Sequence, residues 1–228
     1  MLLKQLKFQK EKDIKEDVFE DTQILFAYHS GKLAGFKLEK KHVRYLFRTK
    51  RAADLMIDFP IDHLMETINH FECMNYVISY ADVTLNEEFI LKLHYLLKED
   101  SEDTLDYGCG VYKDEIGTSK AIQELLVWYN KIDKPTFEDI VEFHYRFEII
   151  KPFRNGNGRI GRLVAFKECL KNKIVPFYID YHYQDLYDLG FNKWKEDKSF
   201  LISVCKFGQT QYKQVLDARK KEYSKKKD

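Results

Sequence analysis

The chain has 228 residues, of which 44% are apolar and 15% aromatic, so it can bury one large core and is neither disordered nor collagen-like. Its 38 basic and 37 acidic side chains leave a net charge of +1, so overall charge favours neither nucleic acid nor an anionic membrane as a partner. The 10 Gly and 4 Pro are few for a protein with many β-turns, and this favours a helical fold.

Most of the chain has apolar side chains at helical spacing, so we expect an all-α fold. Thr84 and Thr136 are favourable N-cap residues, and Thr136 is followed by two acidic residues that suit a first helical turn. The expected helices are 62–80, one that begins at Thr84, 118–131, one that begins at Thr136, 183–196 and 197–217.

Two segments depart from this helical pattern. Tyr107–Lys113 contains two glycines and is expected to form a short extended hairpin. The tail from residue 219 to residue 228 carries six cations in ten residues and is expected to be a solvated helix end. The chain has no internal repeat and no Gly/Ser linker. We therefore expect one compact unit, made of N-terminal helices (1–80), a core (81–200) and a C-terminal helix with a basic tail (201–228).

The cysteines and the apolar segments indicate a cytoplasmic protein. No stretch approaches the roughly 18 apolar residues that a membrane span needs. The cysteines are widely scattered, so we expect reduced thiols and no metal site: Cys73, Cys109, Cys169 and Cys205.

The most informative stretch lies between Glu148 and Glu168, where there is no carboxylate but there are five cations. A Gly-Asn-Gly turn feeding a helix directs backbone N–H groups and the positive end of the helix dipole at one point. Arginines three residues apart can both turn toward one anion there. The predicted phosphate-binding residues are Arg154, Asn155, Gly156, Asn157, Gly158, Arg159 and Arg162.

The same run also fits the G-x-G-x-x-G fingerprint of dinucleotide-binding folds, with Asp180 as the later acidic residue. That fingerprint must follow a strand within a βαβ unit. Pro176 interrupts the segment that would form the second strand. The remainder of the chain has no βαβ pattern, so we set this interpretation aside.

The stretch resembles the signature of the Fic (Fido-fold) family, H-P-F-x-(D/E)-G-N-G-R-x-x-R at a helix–loop–helix turn. The matching residues are Phe143-His144, Phe147-Glu148-Ile149-Ile150, Pro152-Phe153, Gly156-Asn157-Gly158-Arg159 and Arg162. Upstream, Ser30 and Gly35 resemble the S-x-x-x-E-G inhibitory helix of the family, and residues 66–71 resemble its second helix. The resemblance implies an all-helical Fido fold, a helical bundle with a short β-hairpin flap. It also implies binding of a nucleoside triphosphate and transfer of AMP from it to a hydroxyl of a target protein.

The general-base position is the first departure from the family pattern. The resemblance implies a histidine that takes the proton from the target hydroxyl, and Lys151 stands there. An ordinary lysine has a pKa of about 10.4, so freeing its amine at pH 7 costs about 4.6 kcal/mol. A hydroxyl that attacks phosphorus needs a base with a pKa near neutrality, so Lys151 is expected to be a poor base.

The metal position and the inhibitory position also depart from the pattern. Asn155 replaces the acidic residue that the resemblance implies as the Mg²⁺ ligand, and an amide oxygen is a weaker ligand for a hard dication. Aligned on Ser30 and Gly35, Ala34 replaces the inhibitory glutamate that pairs with the second arginine of the motif. We therefore expect weak or absent Mg²⁺ binding and no such glutamate partner for Arg162.

The flap is the fourth departure. The resemblance places it around Gly110–Thr118, with Val111, Tyr112 and Lys113 as the residues that dock a target strand by backbone pairing. The segment is several residues shorter than the family pattern, so target docking is expected to be impaired.

A histidine elsewhere could still contribute to the site. No histidine has H-E-x-x-H spacing, so we expect packed or capping histidines rather than metal ligands. His144 lies two helical turns before Lys151 and is the alternative candidate for a base in the same cleft.

The four departures agree with one another, whereas the predicted anion site is complete. The leading hypothesis is a Fic-fold protein that binds ATP or another nucleotide and transfers AMP poorly or not at all, with a protein target or a regulatory partner. One alternative is an active AMP- or phosphotransferase that modifies a target protein hydroxyl by an altered mechanism. Another is a helical interaction module that recognises a phosphorylated or acidic partner.

Overall fold

The computed structural model describes residues 2–12, 14, 16–101, 108–113 and 116–225. Within these ranges the chain forms ten α-helices and no strand, so the prediction of an all-α fold is confirmed. Two 3-10 helices, Ala52–Leu55 and Tyr181–Tyr183, lie between α-helices. The α-helices are α1 (Leu2–Glu11), α2 (Val18–Leu33), α3 (Lys40–Thr49), α4 (Ile61–Ser79), α5 (Glu87–Lys98), α6 (Thr118–Asn130), α7 (Phe137–Ile150), α8 (Asn157–Lys171), α9 (Gln184–Lys193) and α10 (Ser199–Lys225).

Side-chain caps set the first turns of α7 and α5. At α7, the Thr136 hydroxyl accepts from the Asp139 N–H at 3.2 Å, and the Asp139 carboxylate accepts from the Thr136 N–H at 2.8 Å. This reciprocal pair satisfies two N–H groups that the helix leaves open, and it confirms the predicted start. The predicted N-cap at Thr84 is wrong. Asn86 caps α5 instead, through a bond from the Phe89 N–H to its side-chain oxygen at 2.8 Å.

α8 is the central helix of the fold. It packs against α7, α4, α5, α2 and α1, and its middle is buried all round. The buried apolar residues there are no more than 1% exposed: Leu163, Val164, Ala165 and Phe166. The main core runs from Leu6 in α1 to Leu216 in α10. Five neighbouring helices therefore fix the direction in which the N-terminus of α8 points.

Not every cation of the motif region faces solvent. Lys167, near the C-terminal end of α8, is fully buried and donates to the Glu168 carboxylate at 2.6 Å. The Tyr129 hydroxyl donates to the other oxygen of Glu168 at 3.0 Å. This pair belongs to the core, so Lys167 is no part of an anion site at the other end of the helix.

The predicted hairpin is not confirmed. Residues 108–113 form no strand, and Tyr107 lies outside the described residues. The N–H of Lys113 donates to the carbonyl of Pro152 at 2.9 Å, and the N–H of Gly110 donates to Nδ1 of His94 at 2.9 Å. These two bonds hold the flap segment against the turn between α7 and α8.

The basic tail is helical up to Lys225, the last residue that the structure describes. Its first residue, Arg219, departs from the solvated helix end that was expected. The guanidinium donates to both carboxylate oxygens of Asp21 in α2, at 2.5 and 3.0 Å. This bidentate ion pair ties α10 to α2.

The four cysteines are free thiols, and Cys73, Cys169 and Cys205 are buried. Among the helices that the structure describes, none combines the length and the hydropathy required to cross a membrane.

Candidate functional site

A cleft of about 400 Å³ lies where α7 gives way to α8. It is bordered by the 151–156 turn, the first residues of α8, the end of α2 and the first residues of α9. Its lining residues are Leu33, Ala34, Glu148, Lys151, Arg154, Asn155, Gly156, Asn157, Gly158, Arg159, Arg162, Gln184, Tyr187 and Asp188. All seven predicted phosphate-binding residues, together with Lys151 and Ala34, are thus brought to one cavity. Gly35 and the flap residues do not line it.

The turn before α8 is held by the side chain of Asn157. Its amide oxygen accepts from the Phe153 N–H at 2.9 Å, and its amide nitrogen donates to the Phe153 carbonyl at 2.7 Å. Gly156 closes the turn at φ +82°, where L side chains are rare, and a Cβ there would lie 3.2 Å from Leu97. Asn157 therefore acts as a brace of the turn, and any contact it offers to an anion comes from its backbone N–H.

The side chain of Asn155 does not fit a Mg²⁺ site. Its amide oxygen accepts from the Gly156 N–H at 2.6 Å and from the Arg159 guanidinium at 3.1 Å. Those two bonds use both lone pairs of a neutral oxygen, whereas Mg²⁺ prefers carboxylates in an octahedral shell. Among the described residues, no group of three or more His, Cys, Asp or Glu side chains could hold a metal ion. This geometry disagrees with a metal held at position 155.

The two motif arginines have different partners. Arg159 is 5% exposed and forms an ion pair with Glu66 of α4, which is 4% exposed and also accepts from Lys98 at 2.7 Å. Its guanidinium also lies 5.2 Å from the ring centre of Phe36. Burial, with a smaller contribution from the charge of Arg162, lowers the pKa of Arg159 to about 9. Arg159 therefore has a buried carboxylate partner from α4, which it shares with Lys98, although the motif region itself has no carboxylate.

Arg162 is half-buried and points to the end of α2. Its Nε and Nη2 donate to the Ser30 hydroxyl at 3.0 and 2.9 Å, and Nη2 also donates to the Ser30 carbonyl at 3.3 Å. Arg162 thus has a neutral partner in place of the glutamate that the family pattern implies. Ala34, one turn further along the chain, lines the cleft without a charge. Ser30 brings no negative charge to Arg162, and the ionisable carboxyl group near it is that of Glu148.

Lys151 is exposed and is the C-cap residue that follows α7, in the left-handed region at φ +46°. Its position between helix and turn places it on the cleft wall. Glu148 lines the same cleft one turn earlier, and burial raises its pKa to about 7, against the opposing charges of Arg162 and Lys151. Glu148 is therefore the titratable group of the cleft that changes charge near neutral pH.

His144 lies behind the cleft and does not line it. It is fully buried, and its Nε2 forms a 2.5 Å hydrogen bond with the Tyr187 hydroxyl. Burial, together with the charge of Arg162, lowers the pKa of His144 to about 3. A Cβ at Gly161 would come within 2.8 Å of both His144 and Glu148, so only glycine fits between them. These contacts make His144 a packed residue and disfavour it as a base.

The flap residues lie on the other side of the turn. Tyr112 packs against Phe153 with ring centres 5.4 Å apart, and Phe153 stacks on His94 at 3.8 Å. Val111 is 52% exposed. The flap segment is therefore attached to the motif turn through Phe153, next to the cleft rather than within it.

Several residues of the site were missed from the sequence. Glu66 appeared only as part of a matching segment, although Glu66, Asn69, His70 and Cys73 fall on one helical face of α4 and all are buried. A polar face of that kind is a signal for buried partners. No local sequence pattern points to the other missed residues, because they reach the site from distant positions in the chain: Lys98, Gln184 and Tyr187.

The comparisons with known proteins concern the family and the fold. Residues 84–168 match the model of the Fic/DOC family. This part of the chain is therefore similar to Fic domains. The match spans α5 to the buried part of α8 and so contains the motif turn and the flap. The comparison with curated proteins gives no match.

Solved structures with Fic domains share the fold over nearly the whole chain. Fic-1 from C. elegans aligns with a TM-score of 0.79 and 15% identity over 96% of this chain and 72% of that one. A Fic-domain signaling protein from Bacteroides thetaiotaomicron aligns with a TM-score of 0.66 and 20% identity over 95% and 92%. A Fic family protein from Desulfovibrio desulfuricans gives 0.64 and 16% over 95% and 72%. At these identities the likeness concerns the fold.

Proposed function

We propose that this protein binds the phosphates of a nucleotide, such as ATP, in the cleft at the N-terminus of α8, and that it transfers AMP weakly or not at all. The proposal rests on one observation: the cleft is lined both by the guanidinium of Arg162 and by a lysine, Lys151, at the general-base position of the family pattern. Arg162 is bonded to a neutral serine and so can exchange that partner for a phosphate oxygen. The helix N-terminus and the glycine turn supply the remaining attraction for an anion.

The chemistry of transfer lacks two components. A lysine ammonium at position 151 stabilises the charge of a bound triphosphate but accepts no proton from a hydroxyl. The Asn155 oxygen is already bonded to Gly156 and Arg159, so it does not anchor a metal against the phosphates. The protein would therefore act as a nucleotide-responsive partner or competitor of an active relative. Its free thiols suit the reducing cytoplasm, where we expect it to work.

Glu148 supports slow transfer as the second candidate function. It lines the cleft, and its pKa of about 7 is near the value that a general base needs. Its Oε1 is buried without a hydrogen-bond partner among the described residues. In this variant, Glu148 accepts the proton of a target hydroxyl as the hydroxyl oxygen bonds to the α-phosphorus of ATP and pyrophosphate leaves, while Lys151 and Arg162 hold the α-phosphate and stabilise its charge in the transition state.

Radiolabel transfer separates the two candidates. The protein is incubated with α-labelled or γ-labelled ATP and a lysate, and covalent label is measured. Binding alone predicts no label on protein from either nucleotide, with transfer gained in the Lys151→His/Asn155→Asp variant. Label from α-labelled ATP in the wild type, lost in Glu148→Gln, would establish slow transfer and overturn the binding-only proposal.

Calorimetry separates nucleotide binding from recognition of a phosphorylated or acidic partner. ATP, AMP and inorganic phosphate are titrated into the protein with and without Mg²⁺. Our proposal predicts that ATP binds more tightly than phosphate and that Mg²⁺ changes the ATP affinity by less than a few-fold. Equal affinities for phosphate and ATP would favour the interaction module instead. A large gain with Mg²⁺ would contradict the argument from Asn155.

A further inference from the structure

A second cavity, larger than the cleft, lies at the opposite end of α8. Its volume is about 630 Å³, and it is bordered by α1, the end of α8 with the segment that follows, and α10. Asn157 and Leu170 are thirteen residues apart on α8, a helical rise of roughly 20 Å. The apolar residues that line this groove are Leu2, Leu3, Leu170, Ile174, Val175 and Leu216. The groove is thus separate from the phosphate cleft, and its lining is mainly aliphatic.

The rim of the groove is basic. Its charged residues are Lys4, Lys7, Lys171, Lys173, Lys220 and Asp82. The single carboxylate, Asp82, is bonded to Lys7 at 2.9 Å, and Lys220 is paired with Asp217 at 3.4 Å, so neither carboxylate offsets Lys4, Lys171 and Lys173. Lys4 and Lys173 are exposed and Lys171 is half-buried, so their ammonium groups are accessible from solvent at the rim. An aliphatic floor with a surplus of lysines suits an occupant that is apolar on one side and acidic on the other.

The chain's own tail is a poor occupant. Residues 219–228 carry six cations and two carboxylates, so the tail of this chain or of a second copy would add to the positive charge. The walls of the groove are formed by α1, the end of α8, the irregular segment 173–175 and α10. No strand is present among the described residues, so addition of an extended peptide by backbone pairing has no strand edge to pair with. The remaining way for a peptide to bind is as a helix whose apolar face lies in the groove.

We infer that this groove binds an acidic amphipathic helix of a partner protein. Aliphatic side chains at positions i, i+3, i+4 and i+7 of that helix fill the groove. Its flanking carboxylates face the rim, where Lys4 and Lys7 lie one helical turn apart on α1. The inference is independent of the proposed function, because no residue of the cleft takes part in it.

The test uses a fluorescein-labelled 18-residue model helix with Leu on one face and Glu on the other, and a matched peptide with Lys in place of Glu. Fluorescence anisotropy with the full chain should show saturable binding of the acidic peptide and none of the basic one. The affinity should fall at least about tenfold when NaCl is raised from low to high concentration, because the rim charges are screened. The inference would be overturned if the acidic peptide did not bind at protein concentrations up to about 1 mM, because a Kd above that value means a negligible specific affinity.

Charge reversal assigns the binding to the groove. The Lys4→Glu/Lys171→Glu/Lys173→Glu variant should lose at least about tenfold in affinity, whereas reversal of three exposed lysines elsewhere should not. The control lysines are Lys41, Lys134 and Lys195. An equal loss in both variants would contradict the assignment. Dimerisation in sedimentation experiments that the groove variant abolishes would assign the groove to a second copy instead and would overturn the inference.

Discussion

The buried ion pairs of Glu66 offer the sharpest test of how the site is built. Glu66 accepts from Lys98 at 2.7 Å and pairs with Arg159, and all three side chains are at most 5% exposed. Glu66→Gln keeps the shape of the side chain but removes the negative charge between two buried cations. Loss of one partner of a buried ion pair costs about 3 to 5 kcal/mol, because the charge left behind is neither solvated nor compensated.

That loss is a large share of the roughly 5 to 15 kcal/mol by which native proteins are stable. At about 2 to 4 °C per kcal/mol for a chain of this size, the Tm should fall by roughly 6 to 20 °C. The assay is urea unfolding followed by circular dichroism, with thermal unfolding beside it. The matched control is Glu72→Gln in the same helix, since Glu72 is exposed and pairs with Lys50 at 3.1 Å. The control should change stability by less than about 0.5 kcal/mol. A loss below about 1 kcal/mol for Glu66→Gln would refute the buried network as a stabilising element.

Three further predictions concern the cleft. Glu148→Gln should stabilise the fold by about 2 kcal/mol more at pH 8 than at pH 5. Burial raises the pKa of Glu148 to about 7 in the folded state, above the ordinary pKa of a glutamate in the unfolded chain. Between these two pKa values the wild-type fold therefore loses stability as the pH rises, and the glutamine variant does not. Equal effects at both pH values in calorimetry would contradict this. Gly156→Ala should cost about 1 to 3 kcal/mol, since φ is +82° and the added Cβ lies 3.2 Å from Leu97. An unchanged urea midpoint would show that the turn relaxes. Asn157→Ala should cost about 2 kcal/mol, because it removes two hydrogen bonds to the backbone of Phe153. A loss below about 0.5 kcal/mol would mean that water replaces both bonds.

The fold was largely accessible from the sequence because helical spacing and caps are local signals. The Thr136 capping box and the helix boundaries near residues 62–80 and 118–131 follow from neighbouring residues in the chain. The start of α5 was misplaced, because Thr84 and Asn86 are comparable caps and only packing decides between them. The flap was predicted as a hairpin from its glycines, but residues 108–113 are held by bonds to His94 and Pro152 rather than by a partner strand.

The sequence identifies most of the residues that form the site but not the residues with which they pair. The sequence identified Arg159 and Arg162 as equivalent cations on one helix. Only the approach of α4 and α2 shows that the first is paired with Glu66 and the second is held by Ser30. Such partners lie 93 and 132 residues away in the chain. Local patterns do not identify Glu66 as a partner, and only the family resemblance indicates that the segment with Ser30 and Ala34 lies near Arg162.

An ATP titration of the wild type and of Arg162→Ala in the presence of EDTA tests the central claim most directly. Our account predicts saturable binding by the wild type without metal. The variant should bind at least about tenfold more weakly, because charge-assisted hydrogen bonds contribute about 1.5 to 3 kcal/mol each. No saturable binding by the wild type, or the same affinity in both proteins, would contradict the assignment of the cleft as a phosphate site.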